Sequence, residues 1–212
     1  MFSEAAQRVP RYLPVPGCPG FNVADLLWHV AVVHNFWGAV VAGHLSAPDE
    51  VMQPERLPDP ELVHFYDRTF ERLVSTLSGA DPDANVWTPT PQNDVRFVAR
   101  RVTHETAVHR CDLDIAWHGE PRAVNGLLAE DGIDEWLTVL LQSRPRSRID
   151  FLVEETGRSW SLGDGPTPQA VLHDSASAIL LGVWRRIPID RLRIERNQAI
   201  AVEFIEEATL LS

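Results

Sequence analysis

Three long segments within the first 118 residues return an apolar side chain every three or four positions, and nothing else in the sequence limits the fold as tightly. On the first, Val23, Leu26, Leu27, Val30, Val33, Trp37 and Val41 share one arc. The second, after "LPDP", aligns Leu62, Val63, Tyr66, Phe70, Leu73, Val74 and Leu77. The third, from about Asp94 to Trp117, aligns Val95, Val98, Ala99, Val102, Thr106, His109, Leu113 and Trp117. Helices with one apolar face must bury it against each other. A shorter helix over residues 3–12 makes four, and Pro-rich loops such as "LPVPGCPGF" separate them, so residues 1–120 are expected to form an up-down four-helix bundle. Asn22 is a favourable N-cap for the first long helix, and Asp25 suits its first turn.

Past "HGEPRAVNG" the periodicity changes. Residues 127–142 read as a helix, "RIDFLVEE" and "SWSL" as strands joined at Gly157, and "QAVLH" and "RLRIE" as further strands. "DSASAILLGVWRR" reads as a helix capped by Asp174, and "NQAIAVEFIEEATL" as a closing helix capped by Asn197. The expected fold class is therefore α+β, with the bundle followed by a small α+β domain over residues 121–212.

Composition narrows the function. A net charge of −11 repels phosphate backbones and anionic lipid, so neither nucleic acid nor a membrane is expected as a partner. All 19 basic residues are Arg, which removes Lys as a Schiff base or general base. Cys18 and Cys111 form no CxxC, and neither a disulfide framework nor a Cys-rich zinc site fits two isolated thiols, so a cytoplasmic setting is expected. "MFSEAAQRVPRYLP" lacks the basic and apolar regions of a signal peptide. The apolar run over residues 26–43 is interrupted by His29, His34 and Asn35, as suits an amphipathic core helix rather than a membrane span.

"VTHETAVHRCD", residues 102–112, comes close to the HExxH box of zinc proteases and fails it. Residues four apart share a helix face, so Glu105 and His109 can chelate together, whereas His104 and His109, five apart, diverge. His109 falls in the apolar stripe with Glu105 at its edge. Burying both costs several kcal/mol, roughly, unless a partner or cation compensates. A third ligand must come from another helix, and either His29 or His34 completes a His/His/Glu set suited to a divalent ion, zinc above others, with an open position. Helical phase slightly favours His34. The competing reading pairs Arg101 with Glu105 across one turn, leaves His34 as a core histidine stacked on Trp37, and leaves His104 and His64 solvated. Cys111 is expected to be a buried structural thiol.

The blocks "VPGCPGFNVADLLWHVAVVHNFW" and "RFVARRVTHETAVHRCDLD" resemble those of the mycothiol-dependent maleylpyruvate isomerase family, itself part of the DinB-like metal-binding bundles. "AEDGIDEWL" and the segment from "VLHDSASAILLGVWRR" onward resemble that family's second, sterol-carrier-like domain. The resemblance implies His29, rather than His34, as the third metal ligand beside Glu105 and His109. It also implies that an Arg of the second domain serves the reaction, with Arg186 the first candidate and Arg185 the second. Phe21 and Asn22 stand where the family usually has Trp-Thr, and Cys111 where Trp is frequent; none of these is a ligand.

The implied chemistry is that of a metal-dependent thiol enzyme. Mycothiol bound through sulfur to the open metal position becomes a thiolate near neutral pH, and this adds to a small electrophile for isomerisation or S-transfer, while Arg186 neutralises a substrate carboxylate. Two other readings share the fold: a metal-stabilised bundle that binds a small ligand or partner without turnover, and a metal-dependent hydrolase whose open position holds water. A monomer or homodimer is expected.

Overall fold

Side-chain caps set where the long helices begin. In this computed structural model, which describes residues 2–43, 50 and 54–211, Asn22 and Asp25 form a reciprocal capping box. Asn22 Oδ1 accepts from the Asp25 N–H and the Asp25 carboxylate accepts from the Asn22 N–H, both at 3.0 Å. Asp94 Oδ1 accepts from the Phe97 N–H at 2.7 Å. The helices of the first unit, residues 1–122, are α1 (Phe2–Arg8), α2 (Val23–Val41), α3 (Leu62–Gly79) and α4 (Val95–His118). The first helix stops at Arg8 rather than residue 12, because Pro10 supplies no N–H and turns the residue before it away from helical geometry. Gly119, at φ 80°, ends α4 in the left-handed region that glycine adopts without strain, and its N–H bonds the Ile115 carbonyl.

Two apolar clusters hold this unit together. One joins Leu26, Leu27, Val30 and Ala31 of α2 to Leu62, Tyr66 and Leu113. The other joins Trp37 and Val40 to Leu73, Val95, Val98 and Val102. Phe70, Val74 and Trp117, although in phase with the buried stripes, are exposed. Between the two clusters, along α2 and α4, lie His34, Glu105, Thr106 and His109.

The second unit, residues 123–212, starts with α5 (Gly126–Glu135), which continues into a π-helical turn at Trp136–Leu140. Four strands follow: β1 (Ile149–Val153), β2 (Ser159–Leu162), β3 (Ala170–Asp174) and, after α6 (Ala176–Val183), β4 (Ile194–Arg196). They form one sheet of order β2-β1-β3-β4, with β1 parallel to β3 and the outer pairs antiparallel. The closing helix is α7 (Gln198–Glu207). One continuous core gathers Trp136, Ile149, Phe151, Leu172, Ile179, Leu180 and Ile205. The cap of α6 falls one residue later than expected: Ser175 accepts from the Ala178 N–H, while Asp174 accepts from the backbone N–H groups of Ser175 and Arg193. Asn197 occupies the cap position of α7 without a side-chain capping bond. Among the described residues, no helix is long and apolar enough to cross a membrane.

Candidate metal centre

One turn of α4 brings Glu105 and His109 together, and α2 places His29 against them. Glu105 Oε1 lies 2.9 Å from His109 Nε2 and 3.4 Å from His29 Nε2, and the three prospective ligand atoms all fall within 4.8 Å of one another. Tetrahedral zinc with bonds of about 2.0–2.1 Å needs ligand atoms roughly 3.3 Å apart. The cluster therefore has the dimensions and the donor set of a His2Glu site. His29 is the most exposed of the three, with 37% of its side chain open, and His109 is buried.

The other nitrogen of His109 is held as well. Its Nδ1 lies 2.8 Å from Oδ2 of Asp112, a fully buried carboxylate one turn further along α4. Asp112 accepts from Nδ1–H, so Nε2 is the ring nitrogen that faces the cluster, the usual arrangement behind a metal-bound imidazole. Cys18 Sγ donates to the same Asp112 oxygen at 3.6 Å. Cys18, His109 and Asp112 thus make a second close group of possible ligands, sharing the His109 ring with the first.

Electrostatics follow from these contacts. Burial pushes the Glu105 carboxyl upward, but bonds from His109 and His29 and the charges of His109 and Arg101 outweigh it and hold the group well below the usual carboxylate range. Burial lowers the His109 imidazole, yet Asp112, Cys18 and Glu105 raise it well above its ordinary value. Arg101 does pair with Glu105, through Oε2. Pairing and chelation are therefore compatible, because Oε1 still faces the two histidines.

His34 has a different occupation. Thr106 Oγ1 donates to the Val102 carbonyl at 2.7 Å and so accepts from His34 Nε2–H at 3.0 Å, leaving the buried Nδ1 without a hydrogen-bond partner. The ring packs on Tyr66 and Phe70, not on Trp37. Burial lowers its pKa from 6.5 to about 4, against a smaller raising effect of Glu105. His64 is exposed, but His104, expected in solvent, is only 1% exposed. The reason is the position of α4, packed by both α1 and α2 and burying Phe97, Arg101, His104, Val108 and Cys111 around its circumference. Cys111 is buried and donates to the Arg122 carbonyl.

Arg185 and Arg186 belong to the second unit. Arg185, at φ 57°, donates through its guanidinium to the carbonyls of Ile205 and Ala208 and so caps the end of α7. Arg186 donates to the Trp184 carbonyl at 2.8 Å. Sequence reasoning missed Asp112 as the holder of His109, although its three-residue offset on the helix was a usable signal. It also missed Cys18, 94 positions from the carboxylate it touches, for which no local signal exists.

Residues 12–114 match the family model described as the mycothiol maleylpyruvate isomerase N-terminal domain. Two solved structures share the fold: crystal structures of the mycothiol-dependent maleylpyruvate isomerase and of a histidine-to-alanine mutant of it. Each has a TM-score of 0.60 and 15% identity, covering 85% of this chain and 81% of the other. A search of curated protein sequences gave no significant match.

Proposed function

We propose, from the match of residues 12–114 to the mycothiol maleylpyruvate isomerase N-terminal domain model, that the chain is a member of that family and a metal-dependent thiol enzyme acting with mycothiol on a small electrophile. The observation that carries this reading is the convergence of His29, Glu105 and His109, with His109 steered from behind by the buried Asp112. A bound divalent metal, zinc above others, supplies a Lewis-acidic position that lowers the pKa of a thiol. His29, Glu105 and His109 hold it, and Arg101 neutralises the second Glu105 oxygen. The mycothiol sulfur forms a C–S bond to the electrophile and converts its double bond to a single bond. Rotation followed by C–S cleavage returns the thiol and the isomer; protonation of the adduct instead gives the S-transfer product. The family resemblance assigns the substrate carboxylate to an Arg, with Arg186 the first candidate and Arg185 the second.

Metal analysis with cobalt substitution tests the reading. The expected result is one equivalent of divalent metal, lost in His109→Ala, and a cobalt spectrum that shifts when mycothiol is added. A protein without stoichiometric metal overturns the metal assignment. A loaded protein whose spectrum ignores mycothiol is instead a hydrolase or a non-catalytic binder.

A further inference from the structure

A groove of the first unit starts at His29. It measures about 680 Å³ and is walled by Phe21, Trp28, Val32, Phe36 and Trp37, with Arg56 at its rim. That is within the range of roughly 300–1,000 Å³ that takes a drug-sized ligand and is generous for a small acyclic dicarboxylate. The walls follow from helical spacing on α2: Val32, Val33 and Phe36 lie three, four and seven positions after His29, on the face that presents it. Phe21 meets the His29 ring edge-on at 5.8 Å, which ties the apolar wall to the candidate ligand.

The charged rim of this groove is already neutralised. Arg56 donates to Asp25 at 2.9 Å, lies 3.7 Å from Asp59, and covers the face of Trp28 at 5.7 Å. Asp25 is in turn fixed by the capping box of α2. An incoming carboxylate would have to displace Asp25 from Arg56, while an apolar or aromatic body only has to displace water from the ring faces.

We infer that this groove binds the body of the electrophile, and that the body is aromatic or otherwise flat and apolar rather than a small polyanion. The inference rests on the proposed metal site at His29 only for the groove's place in the reaction; the groove's ligand preference stands apart from it.

Isothermal titration of the full-length, metal-loaded protein with 2-naphthol, neutral at pH 7, tests it, with maleate and mycothiol as competitors. Saturable 2-naphthol binding, not displaced by excess maleate or by mycothiol, is the expected result. Val32→Glu should weaken it by about tenfold or more by placing a charge among the rings, and Val32→Gln by less, with metal content and circular dichroism unchanged. Absence of 2-naphthol binding, or binding indifferent to both Val32 variants, overturns the inference. Displacement by maleate overturns it by showing that a small dicarboxylate competes for the place, and displacement by mycothiol overturns it by giving the groove to the thiol. A cobalt spectrum unresponsive to mycothiol, with 2-naphthol still bound in the groove, sinks the thiol-enzyme reading and leaves the groove assignment intact.

Discussion

The two units of the chain solve the burial problem in opposite ways. The second gathers its core into one apolar cluster around β1, β3 and α6. The first splits its apolar residues into two clusters and places between them, along α2 and α4, a polar layer of His34, Thr106, Glu105 and His109, with Asp112 behind it. Each buried ionisable group in that layer carries a desolvation cost and must be met by a partner. This layer is held by hydrogen bonds and ion pairs between its side chains rather than by apolar contact.

The sharpest way to probe the apolar unit is Phe151→Ala. Phe151 is fully buried in β1 and pairs across to Leu172 of β3, so truncation should cost about 3–5 kcal/mol in urea denaturation. Among the described residues no candidate ligand cluster lies in that unit, and the metal content of the protein that remains folded should not change. A drop in metal stoichiometry among folded molecules would break the division of labour between the units.

The polar layer should show its cost through pH. His34 has a folded pKa of about 4 against an ordinary value of 6.5, so between those values the unfolded chain takes up a proton that the folded chain refuses. Stability contributed by neutral His34 is therefore present above pH 6.5 and falls as the pH drops toward 4, by up to about 3 kcal/mol. His34→Gln keeps a donor for Thr106 and cannot titrate. The stability difference between wild type and His34→Gln, followed by denaturation from pH 7 to 4, should move against the wild type. A difference that is flat with pH would remove His34 from the account.

Asp112 separates a structural carboxylate from a positioning one. Asp112→Ala frees His109 Nδ1–H and should weaken metal binding by about 10–100-fold, read by competition with a chelating dye. Asp112→Asn retains an oxygen that accepts from Nδ1–H and should recover much of the loss. Equal affinities for Asp112→Ala and wild type would show that His109 needs no steering.

Much of the polar layer was legible because it lies within single helices. Glu105 and His109 announce themselves by their four-residue spacing, and α2 and α4 by stripes that start beside Asn22 and Asp94. The contacts that cross the chain were not. Nothing local to Cys18 points to Asp112, and Arg56 reaches the groove from a segment without periodicity. His104 was misjudged because a two-sided helical wheel assumes one dry face, whereas α4 is packed from more than one side. Phe70, Val74 and Trp117 show the converse, apolar residues in phase that the neighbouring helices do not cover. In the second unit adjacent Asp174 and Ser175 are both competent caps, and only the backbone decides that Ser175 takes the helix while Asp174 serves the turn toward β4.

Helix caps give the smallest contrast between the units and the most direct to measure. Asp94 holds the Phe97 N–H at the start of α4 and also places a negative charge at the positive end of that helix. Asn197 holds the same position on α7 without a side-chain bond. Asp94→Ala should therefore cost about 1 kcal/mol, and Asn197→Ala only a few tenths, roughly, by thermal or urea unfolding. Because Asp94 lies about three turns before Glu105, its loss should fray the helix start and leave the affinity of His29, Glu105 and His109 for metal unchanged. Equal costs at the two caps would mean that the Phe97 bond contributes nothing, and a weakened metal site in Asp94→Ala would mean that the whole of α4, rather than its middle turns, positions the ligands.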